Sequence, residues 1–214
     1  MNRPIVVGIA GGTASGKSTV ARKICERLQD RRIALVDQDS YYRDLSDLTY
    51  EERLEVNFDH PESFDTELMV SQLRQLKQGI GIRKPIYSFK ECLRQKETIP
   101  VEPGDAIIVE GILVLGIDAI RKELDIKIFV DADGDVRIVR RLTRDIKERG
   151  RDFDSTVTQY FKSVRPMHLA FVEPSKLWAD VIVPHGGHND VAIDMVVDAI
   201  RQKLQAAPHA DEPK

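Results

Sequence analysis

Cysteine is scarce in this chain: two residues in 214, Cys25 and Cys92, far apart and outside any C-x-x-C pattern. That argues against a disulfide framework or a thiolate zinc site and fits a reducing cytoplasm. Excess charge is missing as well. Lys and Arg number 32 against 35 Asp and Glu, a net charge of −3 with the signs interspersed, so no basic field of the kind nucleic-acid binders use is present. Small anionic ligands must then be held locally. Long apolar runs are also lacking: the longest, Ala106 to Ile117, is broken by Glu110 and is too short to span a bilayer, so no membrane partner is expected. The N-terminal stretch passes from a brief apolar segment straight into glycines, without the apolar core and cleavage site of a signal peptide. The length suits one large α/β domain over residues 1–206 with insertions, and the polar, proline-bearing end reads as a flexible tail over 207–214.

Glycine, by contrast, is concentrated. GIAGGTASGKST, Gly8 to Thr19, carries Gly11, Gly16, Lys17 and Ser18 at the spacing of a phosphate-binding P-loop, G-x-x-x-x-G-K-[ST]. A polyphosphate needs converging backbone N–H donors, a nearby cation and, for its metal, a hydroxyl ligand. The segment Gly11, Gly12, Thr13, Ala14, Ser15, Gly16, Lys17, Ser18 and Thr19 supplies all three. Lys17 reaches the β- and γ-phosphates as a point charge, and the Ser18 hydroxyl is a Mg²⁺ ligand. The flanks fit: Ile5 to Ile9 reads as a buried strand, and Lys17 to Leu28 sets Val20, Ile24 and Leu28 on one helical face.

Further apolar runs at Ala34–Val36, Ala106–Val109, Lys127–Val130 and Val181–Val183 alternate with amphipathic segments. The pattern predicts a three-layer α/β/α fold of the P-loop NTPase type, a parallel sheet covered by helices with ligands at the carboxyl ends of the strands. Asp37, Asp39, Glu110 and Asp131 stand just after such runs. Two segments break the alternation. IRKPIYSF and KETIPVE, within about 82–102, predict a β-hairpin inserted at the sheet edge. RIVRRLTRDIKERGRD, within about 135–160, reads either as a solvated helical face or as a mobile helical lid bringing guanidinium groups to a transferring phosphate.

Three acids are candidates for chemistry. Asp39, in VDQDSYY, follows the second strand, where a carboxylate can accept a proton from a hydroxyl attacking a γ-phosphate; a turn or helix-capping aspartate is the other reading. Glu110, in IIVEGIL, ends an apolar strand, where an unpaired carboxylate is costly to bury unless a metal or donors compensate it. In NFDHPESFD, Phe58 can carry a base on its ring while Asp59 accepts from ribose hydroxyls, although composition alone favours a turn aspartate.

In this order, GIAGGTASGKST, VDQDSYYRDL, NFDHPESFD, VEGILVL, FVDAD, RDIKERGRD, RPMHLAFVEPSK and ADVIVP resemble the blocks of the uridine kinase (uridine–cytidine kinase) family, from about Ile5 to about Ile200. The resemblance implies phosphorylation of the 5′-hydroxyl of uridine or cytidine by ATP or GTP with Mg²⁺, by a cytoplasmic homotetramer serving pyrimidine salvage. It implies Asp39 as the base on that hydroxyl, with Lys17 and Arg144 as catalytic partners and Gly11 to Thr19 as the phosphate cradle. Ser18 and Glu110 fall on the metal side. Asp59, Arg151 and Gln159 fall on the nucleoside side, Tyr42, Phe58, Tyr87, Phe89 and Ile112 around the base, and Arg141 with Arg144 in the lid.

Two positions depart from the family. Cys92, in YSFKEC, stands where the family commonly has a histidine that hydrogen-bonds the pyrimidine edge, and a thiol is a weak donor and a poor acceptor. His185, in PHGGHN, stands where related enzymes generally carry arginine on the nucleotide side; a surface histidine is its simpler reading. Other functions share the P-loop: a kinase for another small alcohol, such as a sugar phosphate or pantothenate, and a nucleotide-binding regulator without turnover. The first leaves Phe58, Asp59, Tyr87 and Phe89 without a task, and the second leaves Asp39 without one.

Overall fold

The computed structural model describes residues 3–206, so the tail expected at 207–214 lies outside the described residues. The strands are β1 (Ile5–Ala10), β2 (Ile33–Asp37), β3 (Ile82–Ser88), β4 (Leu93–Val101), β5 (Ala106–Glu110), β6 (Ile126–Val130) and β7 (Val181–Val183). The helices are α1 (Lys17–Arg27), α2 (Tyr50–Leu54), α3 (Thr66–Lys77), α4 (Asp118–Arg121), α5 (Gly134–Arg149), α6 (Phe153–Gln159), α7 (Arg165–Met167) and α8 (Asp190–Ala206). Five strands pair in parallel in the order β2-β5-β1-β6-β7.

β1 sends alternate side chains into two separate cores. Val6 and Ala10 join Val36, Ile107 and Val109 under Met69, Leu73 and Leu76 of α3. Ile5, Val7 and Ile9 join Ile108, Ile128 and Val130 under Val20 and Ile24 of α1 and Ile193 and Val197 of α8. A strand buried on both faces needs apolar residues without alternation, which is why IVVGIA and AIIVE read as continuous runs. The result is the expected three-layer α/β/α arrangement. No helix among the described residues is long and apolar enough to cross a membrane.

The hairpin departs from expectation. β3 and β4 form a two-stranded antiparallel sheet of their own, with no ladder to either edge of the central sheet. Pro85 and Pro100 lack the N–H that a ladder requires, and the register shifts between Pro85 and Tyr87, so the hairpin cannot extend a regular edge. The charged segment divides as its glycine suggests: α5 ends at Gly150, whose φ of +67° closes the helix in the left-handed region, and Asp152 caps α6 by accepting from Ser155 N at 2.8 Å. Beyond α6 the chain continues through widened π-type turns at Tyr160–Val164 and His168–Val172 on either side of α7. Pro166, which cannot donate to a regular helix, falls between them.

Candidate active site

The carboxyl ends of β1, β2 and β5 lie level, since Ile9 and Asp37 are both register partners of Glu110. The P-loop follows β1, Asp39 sits in the 3₁₀ turn Gln38–Tyr41 after β2, and Glu110 ends β5. In the loop Gly11 has φ +153°, and a Cβ there would stand 2.5 Å from Val130 O. Gly16, at φ +95°, opens α1 with no side-chain cap and no acid in the first turn. That leaves the first N–H groups of the helix facing forward, as an anion requires. Behind the loop, Arg137 donates to Ala132 O at 3.0 Å and contacts His168 Nε2 at 3.0 Å. Burial, and next the Arg137 charge, push His168 down to about 4, so it is a neutral packing partner at ordinary pH.

Ser18 Oγ donates to Glu110 Oε1 at 2.8 Å, which joins the two residues expected on the metal side. Burial raises the Glu110 carboxyl above its ordinary value, and the nearby Lys17 charge opposes that rise. No ion pair to Glu110 occurs among the described residues, nor any cluster of three or more His, Cys, Asp or Glu that could cage a metal. A hydroxyl and one under-compensated carboxylate are hard oxygen donors. They fit a Mg²⁺ that brings phosphate and water ligands with it.

Beside the P-loop opens a narrow cleft. Lys17, Asp39 and Arg144 line it, as do Tyr42, Phe58, Asp59, Tyr87, Phe89, Cys92, Ile112, Arg141, Arg151 and Gln159. Thr13 is the P-loop residue that reaches it besides Lys17; Gly11, Gly12, Ala14, Ser15, Gly16, Ser18 and Thr19 do not line it. One wall is aromatic. Tyr42 stacks on Phe64 at 4.4 Å between centroids and meets Tyr87 at 4.7 Å, and Tyr87 meets Phe89 edge-on at 5.3 Å. Asp59 is buried at the cleft, and burial raises its carboxyl while Arg141 pulls it back.

Helices α5 and α6 bring side chains to this cleft. Arg141 donates to Thr13 Oγ1 and to Gln159 Oε1, each at 3.0 Å, and Arg151 also donates to Gln159. Two residues of α5 escaped the sequence reading. Arg149 reaches the cleft and lays its guanidinium 3.7 Å from the Phe89 ring centroid. Asp145, fully buried, pairs with Arg141 at 3.3 Å, Arg144 at 2.9 Å and Arg149 at 3.5 Å. The signal was present as one acid four residues from arginine on both sides. Cys92 is buried at the cleft with φ +51°, its Sγ donating to Phe89 O at 3.6 Å. His185 is exposed, as the simpler reading has it, while the following Gly186 and Gly187 pack on the P-loop at Ser15 and Thr19.

The profile of the Phosphoribulokinase / Uridine kinase family matches residues 6–192. The uridine kinase of Clostridium tetani is 57% identical over 203 residues, covering 95% of this chain and 97% of its own. That of Clostridium novyi is 57% identical over 204 residues, covering 95% and 98%. Among solved structures, phosphoribulokinase from Rhodobacter spheroides superposes with a TM-score of 0.62 at 13% identity, over 85% of this chain and 70% of that one, a likeness of fold alone. Profile, relatives and fold agree: the chain belongs to the phosphoribulokinase/uridine kinase family.

Proposed function

We propose that the protein transfers the γ-phosphoryl group of ATP or GTP to the 5′-hydroxyl of uridine or cytidine, giving UMP or CMP for pyrimidine salvage. The observation that carries this reading is a single cleft shared by Lys17 of the P-loop, the free carboxylate of Asp39, and an aromatic wall with a buried aspartate beside it. Asp39 has no hydrogen bond or ion pair among the described residues, so its oxygens are free to take the proton of the attacking hydroxyl. As the new P–O bond forms at the γ-phosphorus, the bond to the β,γ-bridging oxygen breaks and its electrons leave with the diphosphate. Lys17 and the α1 N–H groups hold that growing charge. Arg144 and Arg141 stabilise the phosphoryl in flight. Asp59 accepts from ribose hydroxyls with Arg151 and Gln159 alongside, and Tyr42, Phe58, Tyr87, Phe89 and Ile112 enclose the base. Ser18 and Glu110 would hold Mg²⁺, which offsets phosphate charge when bound.

Initial rates of ADP or GDP release decide the matter, with uridine, cytidine, a sugar phosphate, pantothenate and glycerate as acceptors and ATP or GTP as donor. Turnover confined to the pyrimidine nucleosides is expected. Turnover with another alcohol, or with none, overturns the reading. We further propose that residues 1–206 act as one kinase domain, with the hairpin at about 82–102 and the lid at about 135–160 as its insertions. A homotetramer in the cytoplasm, where Cys25 and Cys92 stay unpaired, completes the proposal.

Cys92 is the specificity position. Histidine tolerates positive φ better than most residues, so Cys92→His keeps the local backbone and adds a strong ring donor or acceptor at the cleft. A neutral hydrogen bond contributes about 0.5–1.5 kcal/mol, so kcat/KM for uridine should rise about threefold to tenfold. Unchanged values for both nucleosides, or a loss for both, would mean that Cys92 does not face the base.

A further inference from the structure

The hairpin carries Tyr87, Phe89 and Cys92 of the cleft wall, yet no backbone ladder fixes it to the sheet that carries the P-loop and the acids. Something else must hold its distance from Asp39. Lys84 faces inward from β3 on the same side as Ile82 and is buried, an unusual place for an ammonium group. It is paired there. Its Nζ donates to Asp37 Oδ1 and, at 3.1 Å, to Ser40 Oγ, and Ser40 Oγ in turn donates to Asp37 Oδ2. Asp37 precedes the 3₁₀ turn Gln38–Tyr41 and Ser40 lies within it, on either side of the half-buried Asp39. A second bridge runs one residue along on each side: Tyr41 Oη donates to Gln72 Oε1 at 2.7 Å, and Gln72 Nε2 donates to Arg83 O at 2.9 Å. Adjacent hairpin residues thus grip adjacent residues of the catalytic turn.

We propose that Lys84 is a positioning residue for phosphoryl transfer: through Asp37 and Ser40 it fixes the Asp39 turn against the hairpin that walls the nucleoside. It is absent from the residues lining the cleft. An apolar side chain of similar length would fill the space. It would also leave Asp37 uncompensated beside Glu110, its register partner, and release the turn from β3. The P-loop itself is not part of this linkage, and Glu110 is its one neighbour on the metal side, so triphosphate binding should change less than acceptor turnover.

The proposal rests on the nucleoside-kinase reading, and two measurements separate them. In Lys84→Met, kcat/KM for uridine should fall about 10- to 100-fold, because small errors in placing a base and its hydroxyl are costly. The dissociation constant for Mg·ATP without nucleoside should change much less than that. In Lys84→Met/Asp37→Asn no charge is left unpaired, so thermal stability should return toward wild type while kcat/KM stays low. Return of activity together with stability would make Lys84 a mere charge balance, and equal losses of uridine and Mg·ATP affinity would make it a general fold contact; each overturns the proposal. Hydrogen exchange without substrates is the second measurement. Amides of 82–101 should exchange faster in Lys84→Met while those of β1 and β5 do not change, and an unchanged hairpin also overturns it. A wild-type protein inert toward uridine would instead sink the nucleoside-kinase reading and leave the exchange result to judge the linkage.

Discussion

Asp39→Asn lowers kcat about 10²- to 10⁴-fold, the usual yield of a general base, with no change in thermal midpoint or in Mg·ATP affinity. The expectation follows from the half-buried position of Asp39 and from a carboxylate that carries no internal hydrogen bond: asparagine has the same shape and breaks no contact. Only proton acceptance is lost. Rates at saturating uridine, melting curves and nucleotide titration check it together. A variant with near-normal kcat ends the base assignment, and one with a collapsed melting curve makes Asp39 a structural turn residue.

Asp145→Ala has the other large effect, and it acts on stability and turnover together. Its carboxylate is fully buried under Arg141, Arg144 and Arg149, and Arg141 and Arg144 are the lid groups assigned to the nucleoside and the phosphoryl. Removing the acid leaves three guanidinium groups in one small volume, a defect of about 3–5 kcal/mol for a buried ion pair. At about 2–4 °C of melting midpoint per kcal/mol for a chain of this size, the fall is easily measured. kcat should fall as well, since the arginines lose the group that gathers them. Asp145→Asn, which keeps the shape without the charge, should fall between. If both variants melt and turn over as wild type, Asp145 does not organise the lid.

The strands and the acids at their ends were legible because each is a local pattern. IVVGIA, AIIVE and the turn residues after them need no distant partner to be recognised, and the P-loop carries its function in eight consecutive residues. The aromatic wall was legible only through resemblance. Tyr42, Phe58, Tyr87 and Phe89 come from three separated segments, and nothing in their own neighbourhoods says that the rings meet. The pairing of Lys84 with Asp37 was missed for the same reason. They stand 47 positions apart, and only inward alternation with Ile82 hinted that a lysine was being buried. The edge placement of the hairpin failed because prolines mark a strand as unfit for the sheet centre without saying that it leaves the sheet altogether.

Because β3 and β4 share no ladder with the central sheet, this enzyme divides into a chassis and a cartridge. The chassis, five parallel strands with the P-loop, sets which bond to phosphorus is broken. On the proposed reading the cartridge, a hairpin held by side chains from Lys84, Arg94 and the Tyr42 ring, sets which molecule presents the hydroxyl. Substitutions on the cartridge leave every backbone hydrogen bond of the chassis intact. On the proposed reading, acceptor preference can therefore drift at low cost in folding, and Cys92, at the cartridge tip, is a position of that kind.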